Sequence, residues 1–156
     1  MRLVVLAPGS LAHPAAVTWG ADYCRRIGKM ALFERKKVRQ ARRTRAGEDL
    51  EARRRESADL VRAIAPGAFV ALIDGRGLPI DCDQLCDKVR KIAQNTGRAI
   101  WFVLGGPDGV DDDVRARADE IWSLSALTLS HDLAEIVLLE QLYRALTRLH
   151  GLPYHR

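Results

Sequence analysis

Ala68-Phe69-Val70-Ala71-Leu72-Ile73, followed by Asp74-Gly75, and Ala99-Ile100-Trp101-Phe102-Val103-Leu104, followed by Gly105-Gly106-Pro107, decide the fold. Both runs are apolar at every position. A strand with one wet face alternates; a strand that is apolar throughout is covered on both faces, as in a parallel sheet between helices. Leu3–Ala7, closed by Pro8-Gly9, is a third such run. Segments with helical spacing stand between the runs. Pro14 to about Ile27 carries Val17, Ala21, Cys24 and Ile27, with Pro14 in the first turn, where a missing amide costs nothing. Glu48 to Ile64 puts Leu50, Ser57, Leu60, Val61 and Ile64 on one face, and Pro66-Gly67 stops it. Cys82, Leu85, Cys86, Val89, Ile92 and Ala93 form the stripe of a helix that ends before Gly97. Asp111–Ala118 is a short helix with its acids at the N-terminal end, as the helix dipole favours. Ala31–Val38 reads as a further strand, Ile121–Leu129 as the last strand and loop, and Leu133–Leu149 as the last helix. This alternation predicts one α/β domain over residues 1–156, with a mostly parallel sheet and helices on both faces.

The last helix carries Leu133, Ile136, Val137, Leu138, Leu139, Leu142, Tyr143, Leu146 and Leu149, more than one apolar stripe. A helix apolar on most sides is buried on most sides, which predicts a homodimer through it. The chain holds 25 Lys and Arg against 20 Asp and Glu. The excess is local: Arg35, Lys36, Lys37, Arg39, Arg42, Arg43, Arg45, Arg53, Arg54 and Arg55 face only Glu48, Asp49 and Glu51 in that region. Such a cluster attracts polyanions by counterion release, and its aperiodic part, Arg39–Gly47, predicts a mobile loop. No apolar run is long enough for a membrane span. The short run at Met1–Ala7 reads as a buried strand rather than a leader. Cys24, Cys82 and Cys86 suggest no disulfide framework. Cys82 and Cys86 are one turn apart but lack matching further ligands, so core packing rather than a metal is expected. The expectation is a cytoplasmic chain with no membrane and no metal.

In a parallel sheet, ligands bind beyond the carboxyl ends of the strands. That edge should hold Asp74-Gly75, Gly105-Gly106-Pro107 and the Ser125–Ser130 loop. The stretch Trp122-Ser123-Leu124-Ser125-Ala126-Leu127-Thr128-Leu129-Ser130-His131 alternates small or hydroxylic residues with leucines. A loop of this kind leaves backbone groups accessible to a purine edge and leucines to enclose its faces. Gly105-Gly106-Pro107-Asp108-Gly109 has the spacing of neither the dinucleotide fingerprint nor the phosphate-binding loop. Ser123, Ser125 and Ser130 beside His131 lack a nucleophile elbow, which argues against acyl chemistry. The tail Pro153-Tyr154-His155-Arg156 combines an aromatic, an imidazole and a guanidinium, a set able to stack on a base, move a proton and bind phosphate.

Together, Leu104-Gly105-Gly106-Pro107-Asp108-Gly109, the Trp122–Leu129 stretch with His131, Leu142-Tyr143-Arg144-Ala145, and Pro153-Tyr154-His155-Arg156 resemble the ribosomal RNA large subunit methyltransferase H family of the SPOUT superfamily. The resemblance implies a C-terminal trefoil knot, a homodimer, and S-adenosylmethionine as methyl donor. It implies methylation of N3 of a pseudouridine in the helix-69 hairpin of 23S rRNA on assembled ribosomes. Carried over by position, the cofactor contacts are Leu72, Gly105, Gly106, Leu124, Ser125, Ala126, Leu127, Thr128 and Leu129. His131, Arg144, Tyr154, His155 and Arg156 fall near the substrate, with His155 the first candidate for general base and His131 the second. The chain departs from the family pattern at Ser130 and Asp132, which stand where prolines usually flank the histidine, and at Leu152, often a histidine. The competing class is a non-catalytic RNA- or ribosome-binding module, which explains the basic stretch but not the converging small-residue loops. A doubly wound domain binding a nucleotide for another reaction is the third.

Overall fold

The computed structural model describes residues 1–42 and 50–154. Five strands, β1 (Arg2–Pro8), β2 (Leu32–Val38), β3 (Phe69–Pro79), β4 (Ile100–Leu104) and β5 (Glu120–Ser123), form one sheet in the order β2-β1-β4-β3-β5. Every pairing between them is parallel. Among the described residues, α1 (Pro14–Ile27), α2 (Leu50–Ala63), α3 (Cys82–Thr96) and α4 (Asp112–Arg117) connect them, and α5 (His131–Leu149) follows the last strand. The continuous apolar runs are the central strands, as expected. Leu3, Val5, Ala7, Phe69, Ala71, Ile100, Phe102 and Leu104 face the layer of α1, α3 and α5. Their alternates Val4, Leu6, Val70, Leu72, Trp101 and Val103 face Leu60 and Ile64 beside α2 and Val110 and Val114 beside α4.

Three features differ from the sequence reading. β3 does not stop at Asp74-Gly75 but runs to Pro79. Its register against β5 shifts, so that Ile73 and Leu78 both stand opposite Trp122, a bulge that bends the strand outward. Gly77 makes the return possible: a Cβ there would lie 2.7 Å from backbone atoms of Ile121 and Trp122. β5 ends at Ser123, and the alternating stretch beyond it is loop, because α5 begins at His131 rather than Leu133. Finally, α1 does not bury Val17 and Ala21. Its inward residues are Ala16, Gly20 and Ile27, because α5 crosses at Gly20, where a Cβ would sit 3.5 Å from Ile136 Cδ1 and 3.9 Å from Leu139 Cδ1.

α5 packs against both α1 and α3 on one face of the sheet. Leu138, Leu139, Leu142, Ala145 and Leu146 are fully buried. The breadth of its apolar surface is therefore largely absorbed inside the chain. The exposed apolar residues of this region are Leu133 on α5 with Val17 and Trp19 on α1. Cys86 is buried in the core, with its Sγ 3.7 Å from the Ala145 carbonyl. No group of metal-ligating side chains occurs among the described residues, and no described helix is long and apolar enough to cross a membrane. Residues 43–47 of the basic loop and residues 48 and 49 of the expected second helix lie outside the described residues.

Candidate functional site

The carboxyl ends of β3, β4 and β5 meet at a cleft of about 480 Å³, within the range of small-molecule sites. Ile73 to Arg76 form one side, Leu104 to Pro107 and Gly109 the floor, and Ser123 to Leu129 with His131 and Ala134 the other side. Eight of the nine residues the resemblance assigns to a cofactor, Gly105, Gly106 and Leu124 to Leu129, thus line one cleft. The ninth, Leu72, is fully buried in the core on the opposite face of the sheet. The strand residue in the lining is its neighbour Ile73.

The loop after β5 is shaped by its hydroxyls. Ser123 Oγ donates to the Ser125 carbonyl at 2.9 Å, and the Leu127 amide donates to Ser125 Oγ at 2.9 Å. The amides of Leu124, Ala126, Thr128 and Leu129 form no hydrogen bond among the described residues. Unpaired backbone groups in a cleft wall are groups waiting for a polar partner. Leu124 and Leu129 are half-buried beside them, while Leu127 stands 77% exposed at the rim. The floor is tight: a Cβ on Gly105 would lie 2.8 Å from Val110 Cγ1 and 3.0 Å from the Gly109 carbonyl carbon.

Charge enters from β3. Asp74 Oδ2 receives Arg115 Nη2 at 2.6 Å, and Asp74 Oδ1 receives the Arg76 amide at 2.9 Å. Burial pushes the Asp74 carboxyl up, but the Arg76 amide and the Arg115 guanidinium outweigh it and leave it below the ordinary carboxylate range. Its charge is therefore retained at neutral pH. The Arg76 side chain is exposed at the mouth.

The two departures from the family pattern have a physical reading. Ser130 is the N-cap of α5, its side chain accepting from the Leu133 amide. Asp132 Oδ2 accepts from the amides of Ala12 and His13 at 3.0 and 2.8 Å, tying the β1–α1 connection to α5. Polar caps here fix the loop end that prolines would otherwise stiffen. Asp132→Ala is expected to cost about 1 kcal/mol by removing two solvent-exposed hydrogen bonds, read as a lower midpoint in urea. An unchanged midpoint would remove that role.

The remaining substrate candidates form a second group. Tyr154 packs edge-on against Tyr143 (centroids 4.6 Å apart), Arg144 lies 5.0 Å over the Tyr154 ring, and Tyr154 Oη donates to Glu140 Oε1 at 3.3 Å. Glu140 also receives Arg144 Nη2 at 2.7 Å. Burial, with a hydrogen bond to Tyr23 that favours the protonated phenol, pushes Tyr154 up to about 12, so it is a neutral donor at physiological pH. His131 sits in the cleft wall and Glu140 nine residues further along the same helix, about 14 Å away at 1.5 Å per residue. Within one chain, Tyr154 and Arg144 are therefore displaced from the cleft. His155 and Arg156 lie outside the described residues.

Two further residues, invisible to motif reading, stand behind His131 and outside the cleft lining: Glu135, fully buried on α5, and Arg35 of β2, paired with it. Arg35, Lys36, Arg53 and Arg55 of the basic cluster thus have carboxylate partners within the chain, Arg53 pairing with Asp111 at 2.6 Å. Arg39, Arg42 and Arg54 are exposed.

Comparison with known proteins agrees with this geometry. The family model described as "Predicted SPOUT methyltransferase" matches residues 1–155. The ribosomal RNA large subunit methyltransferase H of Neisseria gonorrhoeae (strain NCCP11945) is 33% identical over 156 residues, covering 100% of this chain and 99% of that one. Its counterpart from Anaeromyxobacter sp. (strain Fw109-5) is 39% identical over 160 residues, with both chains fully covered. A probable methyltransferase from Bordetella pertussis Tohama I shares the fold, with a TM-score of 0.56 over 93% of each chain at 20% identity. The chain is a SPOUT methyltransferase. Within that class, the chain belongs to the ribosomal RNA large subunit methyltransferase H family.

Proposed function

We propose that this methyltransferase transfers a methyl group from S-adenosylmethionine to N3 of a pseudouridine in the helix-69 hairpin of 23S rRNA, on assembled ribosomes. The observation that carries the reading is the loop of unpaired amides at Leu124, Ala126, Thr128 and Leu129, facing Gly105 and Gly106 across the cleft. Those residues fit the proposed donor. The free amides suit an adenine edge, Ile73, Leu124 and Leu129 suit its faces, and the Asp74 carboxylate suits a cationic portion. S-Adenosylmethionine, when bound, supplies a methyl group already activated on a sulfonium. The chain's own work is then placement and exclusion of water.

The imino proton of N3 must leave, and the tail carries the groups for it. His155 is the proposed base. Tyr154, neutral and aromatic, is proposed to stack on the extruded nucleobase, and Arg144 and Arg156 to hold phosphate or the developing anion on the uracil carbonyls. Because Arg144 and Tyr154 are displaced from their own chain's cleft, we propose a homodimer in which each tail serves the partner's cleft. The exposed Val17, Trp19 and Leu133 supply apolar surface for such an interface. The trefoil knot common to the superfamily and a cytoplasmic location belong to the same reading.

The exposed basic residues Arg39, Arg42 and Arg54 are proposed to grip the RNA backbone. Engaging about three phosphates would cost about 20-fold in affinity between roughly 50 and 200 mM salt, and a flat response in a filter-binding titration would remove that role. The function itself is tested in cells. Mass spectrometry of 23S rRNA from a strain lacking this chain should show unmethylated pseudouridine in the helix-69 hairpin, restored by the intact gene. Full methylation without the gene would refute it.

A further inference from the structure

We infer that Arg35 and Glu135 are positioning residues of the cleft, acting through His131 on the Gly105 carbonyl. The inference rests on the reading that this cleft takes S-adenosylmethionine. Glu135 is 0% exposed, and the Arg35 guanidinium forks onto both its oxygens, with Nη2 2.9 Å from Oε2 and Nε bonded to Oε1. A buried ion pair is weak evidence for stability, since an apolar pair of similar volume often serves as well. Something else should account for this one.

Its surroundings supply an account. His131 and Glu135 are four residues apart on α5 and so share a face. His131 Nδ1 is 3.2 Å from the Gly105 carbonyl oxygen. A carbonyl only accepts, so this bond puts the hydrogen on Nδ1. Nε2 is buried without a hydrogen-bond partner, and Glu135 Oε2 lies 4.0 Å away from it. The ring therefore stands between a carbonyl of the cleft floor and a carboxylate clamped by Arg35. Other ionisable groups at this cluster are the Cys24 thiol of α1, which burial pushes up, and Asp132, whose carboxylate is taken up by the Ala12 and His13 amides.

The arrangement removes His131 from proton transfer and gives it another task. Neither ring nitrogen is offered to a substrate, because one holds Gly105 and the other faces inward. Gly105 has no side chain to fix its peptide plane. The hydrogen bond from His131 sets the direction of the carbonyl, and the Arg35–Glu135 pair, with Oε2 4.0 Å from Nε2, fills the space behind the ring that makes it.

The test compares wild type, Glu135→Gln and the charge swap Arg35→Glu/Glu135→Arg by calorimetry with S-adenosylmethionine, by thermal melting, and by ¹⁵N NMR of the histidine rings. Wild type should show a protected Nδ1–H signal from His131 without any ligand. Glu135→Gln should shift that signal and weaken binding by about tenfold. The swap should recover melting temperature relative to Glu135→Gln while binding stays weakened, because a guanidinium then faces the ring. Recovery of affinity together with melting temperature would make the pair purely structural and overturn the inference. If the swap does not fold, an unshifted ring signal or wild-type affinity in Glu135→Gln overturns it just as well. If wild type binds no S-adenosylmethionine, the cofactor reading fails, and the ring signal alone decides whether the pair positions His131.

Discussion

Replacing Trp122 with alanine is expected to destabilise the fold by about 3–5 kcal/mol. The indole is 1% exposed and is the largest fully buried side chain of the described residues. Its ring meets Phe102 of β4 at 6.1 Å and a tilt of 55°, its Nε1 donates to Glu120 at 2.7 Å, and Lys88 of α3 lies 5.5 Å over its face. It is also the β5 residue opposite which β3 bulges, facing both Ile73 and Leu78. One truncation thus opens a cavity between sheet and helix layer and loosens the strand from which the cleft loop departs. Domains of this size commonly have only about 5–15 kcal/mol in total, so the variant should be marginal at physiological temperature. Urea unfolding should show a much lower midpoint with little change in slope. A loss under about 1 kcal/mol would mean that the site collapses around the gap and that the indole is not the keystone of this edge.

Gly105→Ala is the second large effect, and it should appear in binding more than in stability. The added methyl would come within 2.8 Å of Val110 Cγ1 and 3.0 and 3.1 Å of the Gly109 carbonyl carbon and oxygen. Val110 is itself buried at 4% exposure, and the Gly109 backbone cannot rotate away as a flexible side chain could. The turn must therefore shift, taking the floor of the cleft and the His131 contact with it. Overpacking of this kind costs about 1–3 kcal/mol, and a displaced floor should weaken S-adenosylmethionine binding by about 100-fold, or roughly 2.7 kcal/mol. Calorimetry and melting on the same sample separate the two. Wild-type affinity in Gly105→Ala would show that the Gly105-Gly106 turn is not part of the donor site.

What could be read in the sequence follows from what each residue type reveals by itself. β1, β3 and β4 were legible because strands buried on both faces have no polar positions to confuse them. The edge where a ligand would bind was legible because three such strands end in glycine or small residues. The contact face of α1 was not, because its marker is Gly20, an absence of side chain that no apolar count registers. The continuation of β3 through Asp74 to Pro79 was hidden because its residues favour turns. Their pairing depends on a bulge against a strand that arrives much later in the chain. Glu135 was hidden for a related reason. A glutamate on a helix reads as a wet face, and only Arg35, one hundred residues earlier, makes its burial possible. The resemblance assigned Leu72 to the cleft, where the structure puts Ile73. In a strand, a displacement of one residue moves a side chain to the opposite face of the sheet.

The proposed reaction is methyl transfer from the cleft to a pseudouridine of the large ribosomal subunit. It is tested most directly by tritium transfer from labelled S-adenosylmethionine to purified 70S ribosomes, with the helix-69 hairpin carrying either pseudouridine or uridine. Label is expected in 23S rRNA only with pseudouridine present, and none after truncation before Tyr154. Equal labelling of both ribosomes, or no labelling of either despite tight donor binding, would contradict it.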